Sequence, residues 1–266
     1  MPANDVLALS DPIEAAIRKA GELARETARR PFKRWTKGPD QSPVTEGDIA
    51  VNEFLHAQLT ALVQGAGWLS EETQESPEYG LPLNWIVDPI DGTRAYISGR
   101  ADWTVSVALA EYGRPLIGAL YAPMTDELFL ASRGGGARLN GGPIRATAGA
   151  MLKGARVAGP KRYLDRLSAL TPGILLQPKV HSLALRIARV AQGTLDAAFA
   201  SSGSHDWDLA AADLLVHEAG GALTDFLGRP LKYNEPQSAH GALIAAGESR
   251  HNALVGLVRD RETEFA

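Results

Sequence analysis

Apolar positions in the first quarter of the chain recur with a helical period. After Asp11-Pro12, the residues Ile13, Ile17, Ala20, Leu23 and Ala24 fall on one side of a 3.6-residue repeat. Asp before Pro suits an N-cap and a first helical position, where the missing proline N–H leaves nothing unsatisfied. A second stripe, Val51, Phe54, Leu55, Leu59 and Leu62, predicts a helix that starts near Thr45 and ends before Gly65 and Gly67. The pattern then shortens. Trp85-Ile86-Val87 predicts a buried strand that stops at Asp88-Pro89. From 103 to 146, β-rich runs are separated by Tyr112-Gly113, Gly134-Gly135-Gly136 and Asn140-Gly141-Gly142, which predicts an antiparallel meander. The second half changes rhythm. Short apolar runs at 155–158, 173–176, 195–199, 222–223 and 243–246 alternate with helical segments near 161–170, 182–192, 209–219 and 249–259. Such alternation predicts a sheet covered by helices, with a seam between the two halves near 147–153.

The bulk numbers narrow the class. A chain of 266 residues buries most of its apolar surface without staples, and 45% hydrophobic with 22% charged residues is the balance of a soluble globular protein. No cysteine is present, so disulfides and thiolate zinc sites are excluded, and a cytoplasmic setting is compatible. The net charge of −4 argues against a nucleic-acid polymer as partner. The one dense basic stretch, Arg29, Arg30, Lys33, Arg34 and Lys37, reads as a solvated helix end. No apolar run reaches the roughly 18 residues of a membrane span, and no signal peptide is expected.

Candidate chemistry gathers in three segments. In Asp88-Pro89-Ile90-Asp91-Gly92-Thr93, two carboxylates stand three residues apart just past the predicted strand. Pro89 stiffens the turn between them, and the Ile90 carbonyl is a further hard oxygen. Gly92 permits close approach, and the Gly92 and Thr93 amides suit phosphate if a helix starts there. Oxygen donors with few imidazoles favour magnesium over zinc. The competing reading is a capped turn, since Asp-Pro and Asp-Gly are ordinary turn chemistry. Leu69-Ser70-Glu71-Glu72 adds paired acids, with a solvated loop as its alternative. In His205-Asp206-Trp207-Asp208, Asp208 stands where an N-cap is expected before Leu209, Ala212, Leu215, Val216 and Ala219. None of the six histidines has a metal-ligand spacing, and His205 reads as a surface or core-satisfied residue near Asp208.

These segments resemble the signature motifs of the inositol monophosphatase superfamily, which includes 3'(2'),5'-bisphosphate nucleotidases and histidinol-phosphate phosphatases. Asp-Pro-Ile-Asp-Gly-Thr at 88–93 matches the first motif, and Trp207-Asp208 followed by Glu218-Ala219-Gly220-Gly221 matches the second. The resemblance implies an α+β layered sandwich (α/β/α/β/α), with an antiparallel sheet in the N-terminal half and a smaller mixed sheet with helices in the C-terminal half. Residues 1–147 would form a subdomain carrying most metal ligands, and 148–266 a second one supplying Asp208. It implies a magnesium-dependent phosphatase with two or three ions. Asp88 would bridge two metals, Glu71 and the Ile90 carbonyl would complete one site, and Asp91 and Asp208 the other. Gly92 and Thr93 would hold phosphate, and Thr93 with Glu71 would orient the attacking water. Asp48 would serve a third, looser ion, against a plain reading as capping-box partner of Thr45. Two metals roughly 3.5–4 Å apart acidify water and stabilise a leaving alkoxide, so no nucleophilic side chain is needed. A homodimer and lithium sensitivity are further properties the resemblance brings in as candidates.

For the substrate, residues 199–205 lack the glutamate that inositol phosphatases carry before Trp-Asp. The segment Gly113 to Pro123 looks closer to the bisphosphate nucleotidases. That branch has Ser-Ser-Leu-Lys where this chain has Ser182-Leu183-Ala184-Leu185-Arg186. Arg186 would bind a second phosphate bidentately, or else be an exposed charge on its helix. The expected substrate is a small phosphate monoester of the 3'-phosphoadenosine 5'-phosphate kind. Inositol monophosphate and histidinol phosphate are the alternatives, and a non-catalytic metal-binding scaffold a remote one.

Overall fold

The computed structural model describes residues 1, 3–38, 41–73, 81–236, 239–261 and 265. The chain begins with α1 (Ala3–Ala8), which periodicity did not reveal, and α2 (Ser10–Ala28). Leu9, not Asp11, occupies the N-cap of α2; Asp11 lies in the first turn, where its charge complements the helix dipole. A separate antiparallel hairpin follows, β1 (Arg34–Lys37) with β2 (Ser42–Thr45). The basic stretch is therefore not one helix end: Arg29 caps α2, whereas Arg34 and Lys37 lie on β1. Helix α3 (Glu46–Leu62) starts behind Thr45 as its apolar stripe predicts.

Seven strands form the large sheet in chain order: β3 (Gly67–Ser70), β4 (Leu83–Asp91), β5 (Thr104–Glu111), β6 (Arg114–Ala122), β7 (Glu127–Ser132), β8 (Gly136–Leu139) and β9 (Gly142–Pro143). Only β3 runs parallel to its neighbour, β4; the remaining pairs form the antiparallel meander. The short helix α4 (Thr93–Ile97) links β4 to β5. Alternation along the strands sends Trp85, Val87, Val105, Val107 and Ile117 into a core with α2 and α3. Ile86, Ala108, Ala110 and Leu120 face the other way.

The C-terminal half runs β10 (Arg156–Ala158), α5 (Lys161–Leu170), β11 (Leu175–Leu176), α6 (Leu183–Ala191), β12 (Ala197–Ala200), β13 (Ser204–His205), α7 (Asp206–Glu218), β14 (Gly221–Asp225), β15 (Ala239–His240), β16 (Leu243–Gly247) and α8 (Glu248–Arg259). Among the described residues, five of these strands make a mixed sheet in the order β11-β10-β12-β16-β14, and β13 pairs with β15 alone. Helices α6 and α7 share one core with the inner faces of both sheets, while α5 and α8 cover the outer face of the small sheet. The result is five layers, α/β/α/β/α.

The central layer lies unusually close to the large sheet. A Cβ at Gly118 on β6 would stand 2.9 Å from the Ala211 Cα, so only glycine lets α7 pass there. At the far end of α7, the Glu218 carboxylate accepts from the Gly134 and Gly136 amides at 2.8 and 2.9 Å, tying the helix to the β7–β8 turn.

The crossover between the sheets is fixed by one carboxylate. Asp196 accepts from the Thr147 hydroxyl at 2.7 Å, the Arg156 amide at 2.8 Å and the Arg156 guanidinium at 2.9 Å. Burial alone would raise its pKa, but the bonds from Arg156 and Thr147 outweigh burial and bring it down to about 2. A folded pKa below the unfolded value stabilises above the usual carboxylate range and loses that contribution as pH falls through the folded pKa. Asp196→Asn should therefore lower stability by about 2 kcal/mol near neutrality, measured by urea unfolding. The deficit should shrink as pH falls from 3.8 toward about 2. A deficit that does not change with pH would remove the charge as its cause.

Candidate metal centre

Parallel pairing brings the first two acids together. The β3–β4 register sets Ser70 beside Val87, and the Glu71 amide donates to the Val87 carbonyl at 3.3 Å, so Glu71 emerges alongside Asp88. Strand β4 does not stop at Asp88-Pro89 as its sequence suggests; it continues to Asp91 with a bulge between Asp88 and Asp91. Residues three apart on a regular strand face opposite sides, and the bulge cancels that alternation. Pro89, which has no N–H for a ladder, belongs at such a break.

The third acid arrives on α7. Ser106 lies opposite Asp88 on β5, and its hydroxyl donates to the Trp207 carbonyl at 3.4 Å, which ties the first turn of α7 to the sheet. The Trp207 ring stacks on His205 at 4.7 Å. Asp208 is the third residue of α7 and not its N-cap; His205 holds that place and donates its amide to the Asp208 carboxylate at 2.7 Å. The carboxylate thus secures the helix start from inside the first turn. Ligand oxygens of Asp88, Asp91 and Asp208 all lie within 4.8 Å of one another.

Asp91 is held by the start of α6. It accepts from the Ser182 hydroxyl at 2.6 Å, the Ala184 amide at 2.7 Å and the Leu183 amide at 3.2 Å. Ser182 is the N-cap of α6 and also meets the Thr104 hydroxyl at 3.0 Å, next to Asp91 in the β4–β5 register. Asp102 fixes this corner by accepting from the Ser182 amide through its carbonyl and from the His181 amide through its carboxylate. Gly92 has φ 92°, and a Cβ there would lie 3.1 Å from the Ser182 nitrogen. Glycine is required both for that conformation and for the approach of α6.

The remaining sequence candidates surround this trio. Ile90 is fully buried; its amide donates to Asp88 at 3.0 Å, and its carbonyl accepts from the Thr93 hydroxyl at 3.1 Å. Thr93 opens α4 behind Gly92. Asp48 forms the capping box with Thr45, yet its Oδ1 is buried with no partner among the described residues. Arg186 is not an exposed helix charge: it is 9% exposed, and its Nε has no partner among the described residues. Burial lowers its pKa, and the charge of Asp91 acts against that.

Lys37 was not identified from its sequence context. From β1 its ammonium reaches the Glu72 carboxylate at 2.7 Å, the Glu71 carbonyl at 2.7 Å and the Glu71 carboxylate at 3.3 Å. No local pattern links a hairpin lysine to acids 34 and 35 residues away.

The acids are desolvated and repel one another. Asp88 and Asp208 are raised well above the ordinary carboxylate pKa, first by burial and then by the neighbouring acids. Glu71 and Asp91 are raised by burial, although Lys37 and the α6 amides respectively pull them back. Burial pushes Asp48 up to about 7. Hydrogen bonds from amides orient these groups but bring no net charge. An all-oxygen set with an unpartnered buried carboxylate oxygen fits hard divalent cations such as magnesium. Asp208→Asn keeps the shape of the side chain and one acceptor for the His205 amide. The magnesium-dependent phosphate release that the resemblance implies should fall by at least about a hundredfold while the circular-dichroism melt persists. Normal turnover in that variant would take Asp208 out of the site.

Comparison with known proteins agrees with this geometry. The profile of the inositol monophosphatase family matches residues 8–263. An inositol-1-monophosphatase of Mesorhizobium japonicum is 29% identical over 93% of this chain and 94% of its own. Nus factor SuhB of Escherichia coli strain K12 is 33% identical over 80% of this chain and 83% of its own. The crystal structure of the extragenic suppressor protein SuhB from Bartonella henselae superposes with a TM-score of 0.82 at 29% identity, covering 95% of this chain and 98% of that one. With its profile matched almost end to end, its fold shared and its acidic motifs converging in space, the chain belongs to the inositol monophosphatase family.

Proposed function

We propose that this phosphatase hydrolyses a small phosphate monoester with magnesium held by Glu71, Asp88, the Ile90 carbonyl, Asp91 and Asp208. The observation that carries the reading is the meeting of Asp88, Asp91 and Asp208 within 4.8 Å, from a strand, its bulge and a helix of the other half. Magnesium, when bound, supplies the positive charge that activates water and stabilises the leaving oxygen. The protein's own part is positioning. Asp88, which feels the charges of Glu71, Asp91 and Asp208 together, would hold metal in common with them. Thr93 and Glu71 orient the water, and the Thr93 hydroxyl can accept while it donates to the Ile90 carbonyl. The Gly92 and Thr93 amides hold phosphate oxygens. Asp48, with its unpartnered Oδ1, suits a third and looser ion.

For the ester itself we infer a bisphosphorylated nucleoside of the 3'-phosphoadenosine 5'-phosphate type. Two features support this. Residues 199–205 offer no carboxylate for ring hydroxyls, and the next acid, Asp206, is engaged by His240 at 2.7 Å and the Asn234 amide at 2.6 Å. Arg186, buried near Asp91 with free donor capacity, suits a second phosphate. The name of the Mesorhizobium relative favours inositol 1-phosphate as the second reading. A panel of 3'-phosphoadenosine 5'-phosphate, inositol 1-phosphate, histidinol phosphate and fructose 1,6-bisphosphate separates them by kcat/KM. The bisphosphate nucleotide should lead, and chelation should abolish all turnover. A lead for inositol 1-phosphate would overturn the substrate; full activity after chelation would overturn the mechanism.

A further inference from the structure

Four of the five tryptophans are accounted for by packing. Trp85 and Trp103 are buried in the core, Trp68 meets His56 and donates to Thr73, and Trp207 stacks on His205. Trp35 is 43% exposed, and among the described residues no ring contact involves it. Tryptophan is highly buried on average, so a side chain this open stands out.

Its place in the hairpin indicates the use. Trp35 and Lys37 are two apart on β1 and so share a strand face, while Thr36 on the opposite face bonds Gln41. Lys37 reaches Glu71 and Glu72, so this face is turned toward the carboxylate centre. The cross-strand partner of Trp35 is Val44, which is 1% exposed, and directly opposed residues share a face. The face is therefore the inward one, yet at Trp35 it borders open space. Two strand residues span about 7 Å, so the Trp35 side chain leaves the strand about that far from the base of the side chain that touches the acids. The adjoining Lys33 and Arg34 are exposed and cationic, so the rim suits an anion.

We propose that Trp35 is a stacking platform for the alcohol half of the substrate, selecting phosphate esters whose leaving group carries a planar ring. The proposal rests on the phosphatase reading above and names a specificity residue for it. The hairpin is a two-stranded sheet of its own, outside both larger sheets.

The test compares wild type, Trp35→Ala and Trp35→Phe on 3'-phosphoadenosine 5'-phosphate, phenyl phosphate and glycerol phosphate. The readout is the ratio of kcat/KM for each ring-bearing ester to that for glycerol phosphate. Trp35→Ala should lower both ratios about tenfold, as loss of one stacked ring implies, and Trp35→Phe should restore most of the loss. Calorimetric binding of adenosine monophosphate in magnesium should weaken by a similar factor in Trp35→Ala. A lowered phenyl ratio with no turnover of the nucleotide would uphold the platform and overturn the nucleotide reading. Unchanged ratios and unchanged binding in Trp35→Ala would overturn the platform, whatever the nucleotide result.

Discussion

Several carboxylates share one low-dielectric pocket, and the rest of the molecule is arranged around that repulsion. Asp88 is 1% exposed and Asp91 6%, and each has the other's charge and that of further acids within reach. Burial of even one ionised carboxylate is costly unless it is paired or hydrogen-bonded. The chain supplies the hydrogen bonds from helix starts: α6 gives Asp91 two amides and a hydroxyl, and the start of α7 gives Asp208 one amide. The positive ends of those helix dipoles ease the repulsion without removing it. Lys37 offsets charge only on the Glu71–Glu72 side. The remaining repulsion is what a divalent cation would relieve, so an apparent cost to stability would become a source of metal affinity.

The scaffold serves this arrangement in particular ways. Parallel pairing of β3 with β4 sets Glu71 beside Asp88, and a bulge turns Asp91 to join it. Small residues at Gly118 and Ala211 let α7 lie close to the sheet, and Ser106 fastens its first turn beside Asp88. Glu218 secures the other end of the same helix at the β7–β8 turn. The centre thus joins both halves of the chain, and Asp196 with Thr147, Arg156 and Arg250 clamps the crossover between them.

Legibility in the sequence followed the range of the interaction. Helix α5 and the capped start of α3 were readable because periodicity and caps act within a few residues. The Asp-Pro-Ile-Asp-Gly-Thr run, with Trp207-Asp208 and Glu218-Ala219-Gly220-Gly221, pointed to the acids by resemblance because that combination is long and rare, and Asp88, Asp91 and Asp208 lie together. The placement of Asp208 at the third helical position was missed: a capping box can be closed from either end, and His205 is an uncommon N-cap. The continuation of β4 through Pro89 was missed because a proline ordinarily ends a strand, and only pairing with β5 shows the bulge. Lys37, the contact of Ser182 with Asp91 and the burial of Arg186 are long-range facts, set by how the hairpin and α6 pack.

Thermal unfolding with and without magnesium tests most directly whether the ion relieves the mutual repulsion of the buried acids. Magnesium should raise the wild-type Tm by roughly 5 °C or more over the value in chelator. Asp88→Asn, with one buried charge removed, should melt at or above wild type in chelator and respond far less to magnesium. A wild-type Tm indifferent to magnesium, together with an Asp88→Asn protein that melts well below wild type in chelator, would contradict the account.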